Sequence, residues 1–228
     1  MNGYGYGLWA LVAINSAVFI LFAISFFHPH GGRDWRALGG FSAFIVALFT
    51  EMYGYPLTIY LLGGVVGNRM GLSHDEGHLW IDLIGWKGDP HLSPFHFASW
   101  ILIGGGFWLI AAGWRRLHAA AQADRLATDG PYLRVRHPQY AGFIAIMTGF
   151  LLQWPTLATL AMFPVLLVVY RGLAIREERE TRERFGRGWD AYAVRTPRFI
   201  PARRRTTQVV RRDSTAAVNT VKTPAREP

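Results

Sequence analysis

The chain has 228 residues, of which 51% are hydrophobic and 17% are charged, and its formal net charge is +9. Soluble domains carry about 25% charged residues, so the composition points to a membrane-embedded protein. No cysteine is present, which excludes disulfides, thiolate metal sites and cysteine nucleophiles. The arginines flank apolar runs, so the basic excess indicates membrane flanks and argues against binding of nucleic acid.

Three apolar runs are long enough to cross a bilayer. A helix rising 1.5 Å per residue needs roughly 20 apolar residues to span about 30 Å of hydrocarbon. The runs that reach this length are 6–27, 39–66 and 96–114. The second run is interrupted by Glu51 and Pro56. The third contains three consecutive glycines, Gly104 to Gly106, which permit close approach of another helix.

Two further apolar segments follow the polar stretch 115–137. Residues 140–152 are too few to cross alone at the helical rise, and they turn at Gln153-Trp154-Pro155 into the run 156–175. We predict a tight helical hairpin here, forming spans four and five. The predicted fold is therefore all-α: a polytopic membrane protein of about five transmembrane helices, followed by a cytoplasmic C-terminal helix.

The positions of Lys and Arg predict the orientation, because positively charged connections stay in the cytoplasm. The connections 28–38 and 115–137 are basic, 67–95 is acidic on balance, and 14 Lys and Arg follow residue 175. We therefore predict an integral multi-pass protein with its N-terminus outside and its C-terminus cytoplasmic.

The chain divides into three predicted regions. Residues 1–127 hold spans one to three, their connections and the expected substrate side. Residues 128–201 hold the hairpin and a cofactor-binding region. Residues 202–228 are basic and rich in threonine, and they lack the apolar periodicity needed to fold alone, so we expect a disordered tail.

The first candidate site lies in the connection before span four. Residues Asp129 to Tyr132 are a turn signal, and Pro138 suits the first turn of a helix. His137 is therefore expected at the membrane surface just before that helix, where free backbone N–H groups favour an anion. Arginines in this connection also suit a simpler role as anchors beside lipid phosphates.

The second candidate site follows span five and contains four glutamates. Glu178, Glu180 and Glu183 each precede an arginine by four residues, the spacing of ion pairs along a solvated helix. Glu177 differs, because the residues four positions away on either side carry no charge. A carboxylate without a local cation, at the point where a helix leaves the bilayer, is a candidate ligand contact.

The order of these motifs resembles one superfamily of membrane enzymes. The series is Gly130-Pro131-Tyr132, Arg136-His137-Pro138-x-Tyr140-x-Gly142, a hydrophobic hairpin, Glu177-Glu178, Phe185-Gly186, Tyr192 and Pro197-Arg198. Over about residues 128–201 it resembles the isoprenylcysteine carboxyl methyltransferase and phospholipid methyltransferase superfamily. The N-terminal half shows no diagnostic match to the prenylcysteine enzymes, so the resemblance does not imply a particular methyl acceptor.

The resemblance implies an S-adenosylmethionine-dependent methyltransferase that acts on a lipophilic acceptor dissolved in the membrane. Carried over by position, the residues implied to bind the cofactor are Tyr132, Arg136, His137, Tyr140, Glu177, Glu178 and Arg198. In this assignment the two glutamates hold the ammonium side of the cofactor, and the two arginines help to bind charged groups. Arg136 and Glu177 are also expected to be catalytic.

Glu51 is the third expected catalytic residue. It lies near the middle of the second run, where a carboxylate costs about 2.5 to 3.5 kcal/mol on insertion scales, so it should face protein or a cavity. We predict that it lines the acceptor end of the cavity and orients or deprotonates the polar head of the substrate. The alternative is a structural pairing with a polar side chain of another span, such as Asn15 or Ser16.

The connection 67–95 and the residues after it are rich in possible metal ligands. These are His74, Asp75, Glu76, His78, His91 and His96. The spacing of His74 and His78 would place both on one helix face, but the intervening Asp-Glu-Gly argues against a long helix. We therefore predict no metal site.

Other functions fit parts of the pattern. Sterol and steroid reductases share the hairpin and C-terminal arrangement but use NADPH, whose phosphates would lie badly beside Glu177 and Glu178. A non-catalytic lipid-binding protein is a second alternative, and a transporter is disfavoured because no internal repeat is present. The expected partners are membrane lipids and a lipophilic or lipidated substrate: a prenylated peptide, a phospholipid amine, an isoprenoid carboxylate or a hydrophobic xenobiotic. The sequence does not predict an oligomeric state.

Overall fold

The computed structural model describes residues 6–29, 31–66, 77–85 and 87–201, and within these ranges the chain forms helices and no strands. The all-α prediction is therefore confirmed. The predicted tail 202–228 lies outside the described residues, as do His74, Asp75 and Glu76. The helices are α1 (Trp9–Phe26), α2 (Gly32–Phe49), α3 (Leu57–Val66), α4 (Leu79–Ile84), α5 (Pro94–Gln122), α6 (Pro138–Gln153), α7 (Leu157–Phe185) and α8 (Arg187–Arg195).

Four segments in the described ranges are long and apolar enough to cross a membrane. They are Trp9–Phe26, Gly32–Gly54, Pro94–Gln122 and Leu157–Phe185. Their outer faces are apolar, and Val165 and Val168 of α7 are 61% and 72% exposed, as expected for contact with lipid. The prediction of a polytopic membrane protein is confirmed. The predicted fourth span is α6, whose 16 residues measure about 24 Å at the helical rise, so the count of five spans stays a prediction.

The second predicted span is interrupted where expected. α2 ends at Phe49, a wider π-helical turn covers Thr50–Gly54, and α3 begins at Leu57. Pro56, between them, cannot donate a backbone hydrogen bond and disfavours a helical conformation for the residue before it. The break therefore follows from local sequence.

Glu51 has a structural partner in this break. Its side chain accepts hydrogen bonds from the backbone N–H of Thr58 (2.8 Å) and from the Thr58 hydroxyl (3.0 Å). The same hydroxyl accepts a hydrogen bond from the backbone N–H of Leu157 at 2.8 Å. Glu51 thus connects the turn after α2, the start of α3 and the first residue of α7. Its partner is Thr58, and not Asn15 or Ser16, the partners named in the structural alternative.

α5 and α6 cross through two glycines. A Cβ on Gly106 would lie 2.7 Å from the carbonyl oxygen of Gly142, and a Cβ on Gly142 would lie 2.7 Å from that of Gly106. The close approach predicted from the three glycines is confirmed at the last of them. This contact sets the position of α6 along α5, and with it the position of the residues that begin α6.

Gly106→Ala is expected to lower the free energy of unfolding by about 1 to 3 kcal/mol, the usual cost of overpacking. The new methyl group would meet backbone atoms of α6, which cannot rotate away. Gly105→Ala is the matched control, because nothing lies within 4 Å of a Cβ there. Thermal unfolding in detergent measures both variants. Equal melting temperatures for the two would show that the crossing tolerates a wider separation.

The hairpin brings the end of α7 beside the start of α6. α6 ends at Gln153, and the Thr156 hydroxyl caps α7 by accepting the backbone N–H of Thr159 at 3.0 Å. Farther along α7, the buried Tyr170 donates its hydroxyl proton to the Ala37 carbonyl of α2 at 3.1 Å. The core between these helices is aromatic and aliphatic, and its fully buried side chains include Phe41, Phe44, Ile45, Leu48, Phe143, Ile146 and Met147.

Candidate active site

The segment before α6 is held by the residues around it. Gly130 has a φ of 57°, a left-handed conformation that favours glycine, and it begins a short 3₁₀ turn. Tyr132 in that turn is buried. Its hydroxyl accepts a hydrogen bond from Gln139 at 2.6 Å, and its carbonyl accepts one from the Tyr192 hydroxyl of α8 at 2.8 Å. Burial raises the pKa of the Tyr132 phenol, so this hydroxyl stays protonated.

The segment after α8 pairs with the same region through its backbone. The Arg136 N–H donates to the Pro197 carbonyl at 2.9 Å, and the His137 N–H donates to the Arg198 carbonyl at 3.2 Å. Two backbone hydrogen bonds therefore fix the C-terminal segment beside the start of α6. This pairing carries the Arg198 side chain to the glutamates of α7.

His137 lies between the two glutamates of α7. Its Nδ1 is 3.1 Å from a carboxylate oxygen of Glu177, and its Nε2 is 3.1 Å from one of Glu178. Burial lowers the pKa of His137, but the hydrogen bonds and charges of the two glutamates outweigh burial and raise the pKa above its usual value. Both ring nitrogens then donate, as an imidazolium does.

The two glutamates have different surroundings. Glu177 also accepts the Tyr140 hydroxyl at 2.5 Å, and its side chain is 29% exposed. Glu178 is 11% exposed and accepts Nε and Nη2 of Arg198 at 2.8 and 2.6 Å, with Arg136 at 3.3 Å. The Glu178 hydrogen bond raises the pKa of Arg198. Glu178 is thus engaged by cations on several sides, and Glu177 is not.

The ion pairs predicted along α7 are wrong in their partners. Glu178 does not pair with Arg182, and Glu180 does not pair with Arg184. The observed pairs are Arg182 with Asp190, Arg184 with Asp124, and Arg33 with Glu180. Each joins α7 to another part of the chain, because α2, the region after α5 and α8 supply oppositely charged side chains at the same end of the bundle.

A cavity of about 430 Å³ opens beside Glu177, within the range of small-molecule sites. Glu177 and Asp34 bring carboxylates to its wall, and Arg33 and Arg136 bring cations. Aromatic and apolar side chains from several helices complete the lining, among them Phe27, Trp114, Leu117, Tyr132, Tyr140, Phe185, Trp189 and Tyr192. Charged groups of both signs and flat apolar walls therefore meet in one pocket.

The structure brings most of the predicted site residues together. Five of them line the cavity: Tyr132, Arg136, His137, Tyr140 and Glu177. Glu178 and Arg198 are not among its lining residues, and they support the wall through His137 and Arg136.

Glu51 is the exception among the predicted residues. It is bound to Thr58 and, through it, to Leu157 at the start of α7, whereas Glu177 lies near the other end of that helix. The twenty residues between Leu157 and Glu177 measure about 30 Å along a helix. Glu51 therefore lies far from the cavity beside Glu177, and its catalytic role stays a prediction.

Several charged lining residues lie outside the motif series, among them Arg33, Asp34, Arg125, Glu180 and Arg184. Arg33 entered the sequence analysis only through the basic connection 28–38. That connection is predicted on the same membrane side as the connection 115–137, and this shared side is the signal in the sequence that α2 could reach the site. Gln139, two residues after His137, also lines the cavity and donates a hydrogen bond to the Tyr132 hydroxyl.

A comparison with known protein families points to the same part of the chain. Residues 95–188 match the family model described as phospholipid methyltransferase. Among curated proteins and solved structures, none matches this chain significantly. The matched range runs from the first turn of α5 into α8 and includes the hairpin, His137 and both glutamates of α7. The resemblance predicted from the sequence is confirmed: the match of residues 95–188 to the phospholipid methyltransferase family model is consistent with the isoprenylcysteine carboxyl methyltransferase and phospholipid methyltransferase superfamily.

Proposed function

We propose that this protein transfers a methyl group from S-adenosylmethionine to a lipophilic acceptor dissolved in the membrane. The observation that carries the proposal is the cavity beside Glu177, which is lined mostly by residues of the matched methyltransferase region and combines carboxylates, guanidinium groups and aromatic walls. S-adenosylmethionine carries an ammonium, a carboxylate, a sulfonium and an adenine, so the donor set fits each of its groups.

The chemistry of the lining side chains indicates which group of S-adenosylmethionine each would bind. Glu177 and Asp34, which both line the cavity, are suited to the ammonium and sulfonium charges. Arg136 and Arg33 are suited to the carboxylate, and the aromatic side chains to the adenine. When bound, S-adenosylmethionine supplies an electrophilic methyl group that an acceptor nucleophile displaces in line. The protein then needs to orient the reactants and exclude water, without an enzyme nucleophile.

His137 and Tyr140 are assigned as positioning residues for Glu177. Their hydrogen bonds reach both of its carboxylate oxygens, so the carboxylate is held in one rotamer before a ligand arrives. Glu178 in turn holds the other side of the His137 ring. The support extends to Arg198, which explains how a residue outside the cavity wall can serve the site.

The residues that line the cavity come from both predicted regions of the chain, 1–127 and 128–201. Residues 128–201 contribute most of the site, but α1, α2 and α5 complete its wall through Phe27, Arg33 and Trp114. We propose that 1–127 supplies both one side of the cofactor cavity and the lipid-facing path of the acceptor. The arginine-rich flanks support a cytoplasmic location for this end of the bundle, and for the C-terminus.

Purified protein in detergent is expected to melt at a higher temperature with S-adenosylmethionine or its demethylated product. A ligand that binds only the native state at a hundred times its Kd stabilises by about 2.7 kcal/mol. NADPH is the comparison ligand and is expected to cause no shift. Stabilisation by NADPH alone would favour the reductase. Incubation with a membrane lipid extract and methyl-labelled S-adenosylmethionine, followed by mass spectrometry, then identifies the acceptor class.

A further inference from the structure

Three histidines converge at the end of the bundle opposite the cavity. One ring nitrogen from each of His78, His91 and His96 lies within 4.8 Å of the others. The centroids of the three rings are 4.9 to 5.1 Å apart. The residues come from the segment before α4, from the 3₁₀ turn Pro90–Leu92 and from the first turn of α5.

This cluster is separate from the methyltransferase site. His78 Nδ1 lies 3.1 Å from the carbonyl oxygen of Gln153, the last residue of α6. His137 immediately precedes the first residue of that helix, and the 16 residues of α6 measure about 24 Å. The cluster therefore lies across the bundle from His137, and the proposed methyl transfer does not use it.

The hydrogen bonds around the rings prepare them for a cation. Because a carbonyl only accepts, His78 donates from Nδ1, which leaves the lone pair of the neutral ring on Nε2. Metal-binding histidines commonly donate their second ring nitrogen to a carbonyl in this way. His96 has Nδ1 3.3 Å from the Ser93 hydroxyl.

The other nitrogen of His96 has no hydrogen-bond partner among the described residues. The side chain is 1% exposed, and its Nε2 is buried. A buried polar atom without a partner costs about 1 to 3 kcal/mol, and a bound cation would remove this cost. The neutral imidazole is the form that binds metal.

The segment that carries His78 is packed firmly onto the end of α6. Trp80 donates its indole N–H to the Leu151 carbonyl at 2.6 Å. A Cβ on Gly77 would lie 1.9 Å from the Trp154 ring, so only glycine fits this contact. His78 is thus held between two anchored residues.

We propose that His78, His91 and His96 bind one divalent transition metal, of which Zn²⁺ is the best match. Imidazole nitrogen is a preferred ligand of Zn²⁺, and a three-histidine set leaves a fourth position for water or another ligand. Three atoms at most 4.8 Å apart share a centre no more than about 2.8 Å from each, compared with 2.0–2.1 Å for a Zn–N bond. Small rotations of the rings, above all of exposed His91, complete the site.

The proposed site differs from the prediction of no metal, which rested on the spacing of the histidines along the sequence. In the sequence, thirteen positions separate His78 from His91, so no short metal motif is visible. The fold brings these residues together with His96 by placing the start of α5 and the segment before α4 against the end of α6.

The test is Zn²⁺ titration of the full chain, purified in detergent without a polyhistidine tag and stripped of metal. Isothermal titration at pH 7.5, and metal analysis after desalting, are expected to show one Zn²⁺ per chain. Binding should weaken at least tenfold at pH 5.5, because protonated imidazole cannot ligate. Zn²⁺ should also raise the melting temperature of the wild type.

His91→Ala is the decisive variant, because this side chain is exposed and its loss leaves the packed residues in place. We expect its Zn²⁺ affinity to fall at least tenfold. His118→Ala removes another exposed histidine, on α5 but outside the cluster, and should bind like wild type. Both variants should retain the wild-type melting temperature without metal. Absence of stoichiometric Zn²⁺ in the wild type, or equal affinities of the two variants, would overturn the proposal.

Discussion

Glu177→Gln is expected to weaken binding of S-adenosylmethionine at least tenfold, equivalent to about 1.4 kcal/mol. Glu177 lines the cavity, and among the described residues its ion-pair partner is His137, with no arginine bound to it as Arg198 is bound to Glu178. Its carboxylate is therefore the less neutralised of the two and can face a cationic ligand. Glutamine keeps the shape of the side chain and one acceptor oxygen, for His137, while its NH2 group can donate to the Tyr140 hydroxyl, which also accepts. The substitution therefore removes mainly the charge. The loss should appear in affinity, with a smaller effect on folding.

Glu183→Gln is the matched control for this substitution. It makes the same chemical change six residues farther along α7, on an exposed side chain that does not line the cavity. Isothermal titration with the demethylated product measures both variants without turnover. Equal affinities of the two would show that Glu177 does not contact the ligand. A large fall in the melting temperature of Glu177→Gln without ligand would assign the residue to folding instead.

Glu178→Gln is expected to destabilise the protein by about 2 to 3 kcal/mol. Breaking a buried ion pair costs about 3 to 5 kcal/mol because the remaining charge stays buried, and the 30% exposure of Arg198 reduces this figure through solvent screening. The carboxylate is the common partner of Arg198, Arg136 and His137. Without its charge the segment after α8 loses its main side-chain attachment to α7.

Thermal unfolding and limited proteolysis measure this effect. We expect a lower melting temperature and faster tryptic cleavage at Arg198, whose guanidinium the Glu178 carboxylate holds in the wild type. Asp190→Asn is the control, because the pair of Asp190 with Arg182 is at least half exposed and such pairs contribute about 0 to 1 kcal/mol. If Glu178→Gln melts like the control but loses ligand affinity as Glu177→Gln does, Glu178 contacts the ligand directly.

The spans, the hairpin and the interruption of the second span could be predicted from the sequence because each depends on local properties. The length of an apolar run sets where a helix can cross a membrane, and Pro56 affects only its own turn. Pro138 begins α6 as expected. The ordered motifs also indicated the matched methyltransferase region, since each motif is contiguous in the chain.

The partners of charged side chains were decided by the tertiary structure. The sequence places Arg182 one helical turn after Glu178. In the structure Glu178 pairs instead with Arg198, twenty residues farther along the chain. A surface pair at that local spacing contributes only about 0.2 to 0.5 kcal/mol, so a partly buried bidentate contact outweighs it. Glu51 shows the same limit, because its partner Thr58 lies beyond a break whose direction the sequence does not specify.

What the sequence by itself determined is therefore the set of helices and the end of the bundle at which Glu177 lies. Only the tertiary structure decided that Arg33 of α2 joins this site, and that His78, His91 and His96 meet at the opposite end. Helix formation and membrane insertion depend on neighbouring residues along the chain. Pairing between distant residues depends on how helices pack, and here the glycine crossing of α5 and α6 sets that packing.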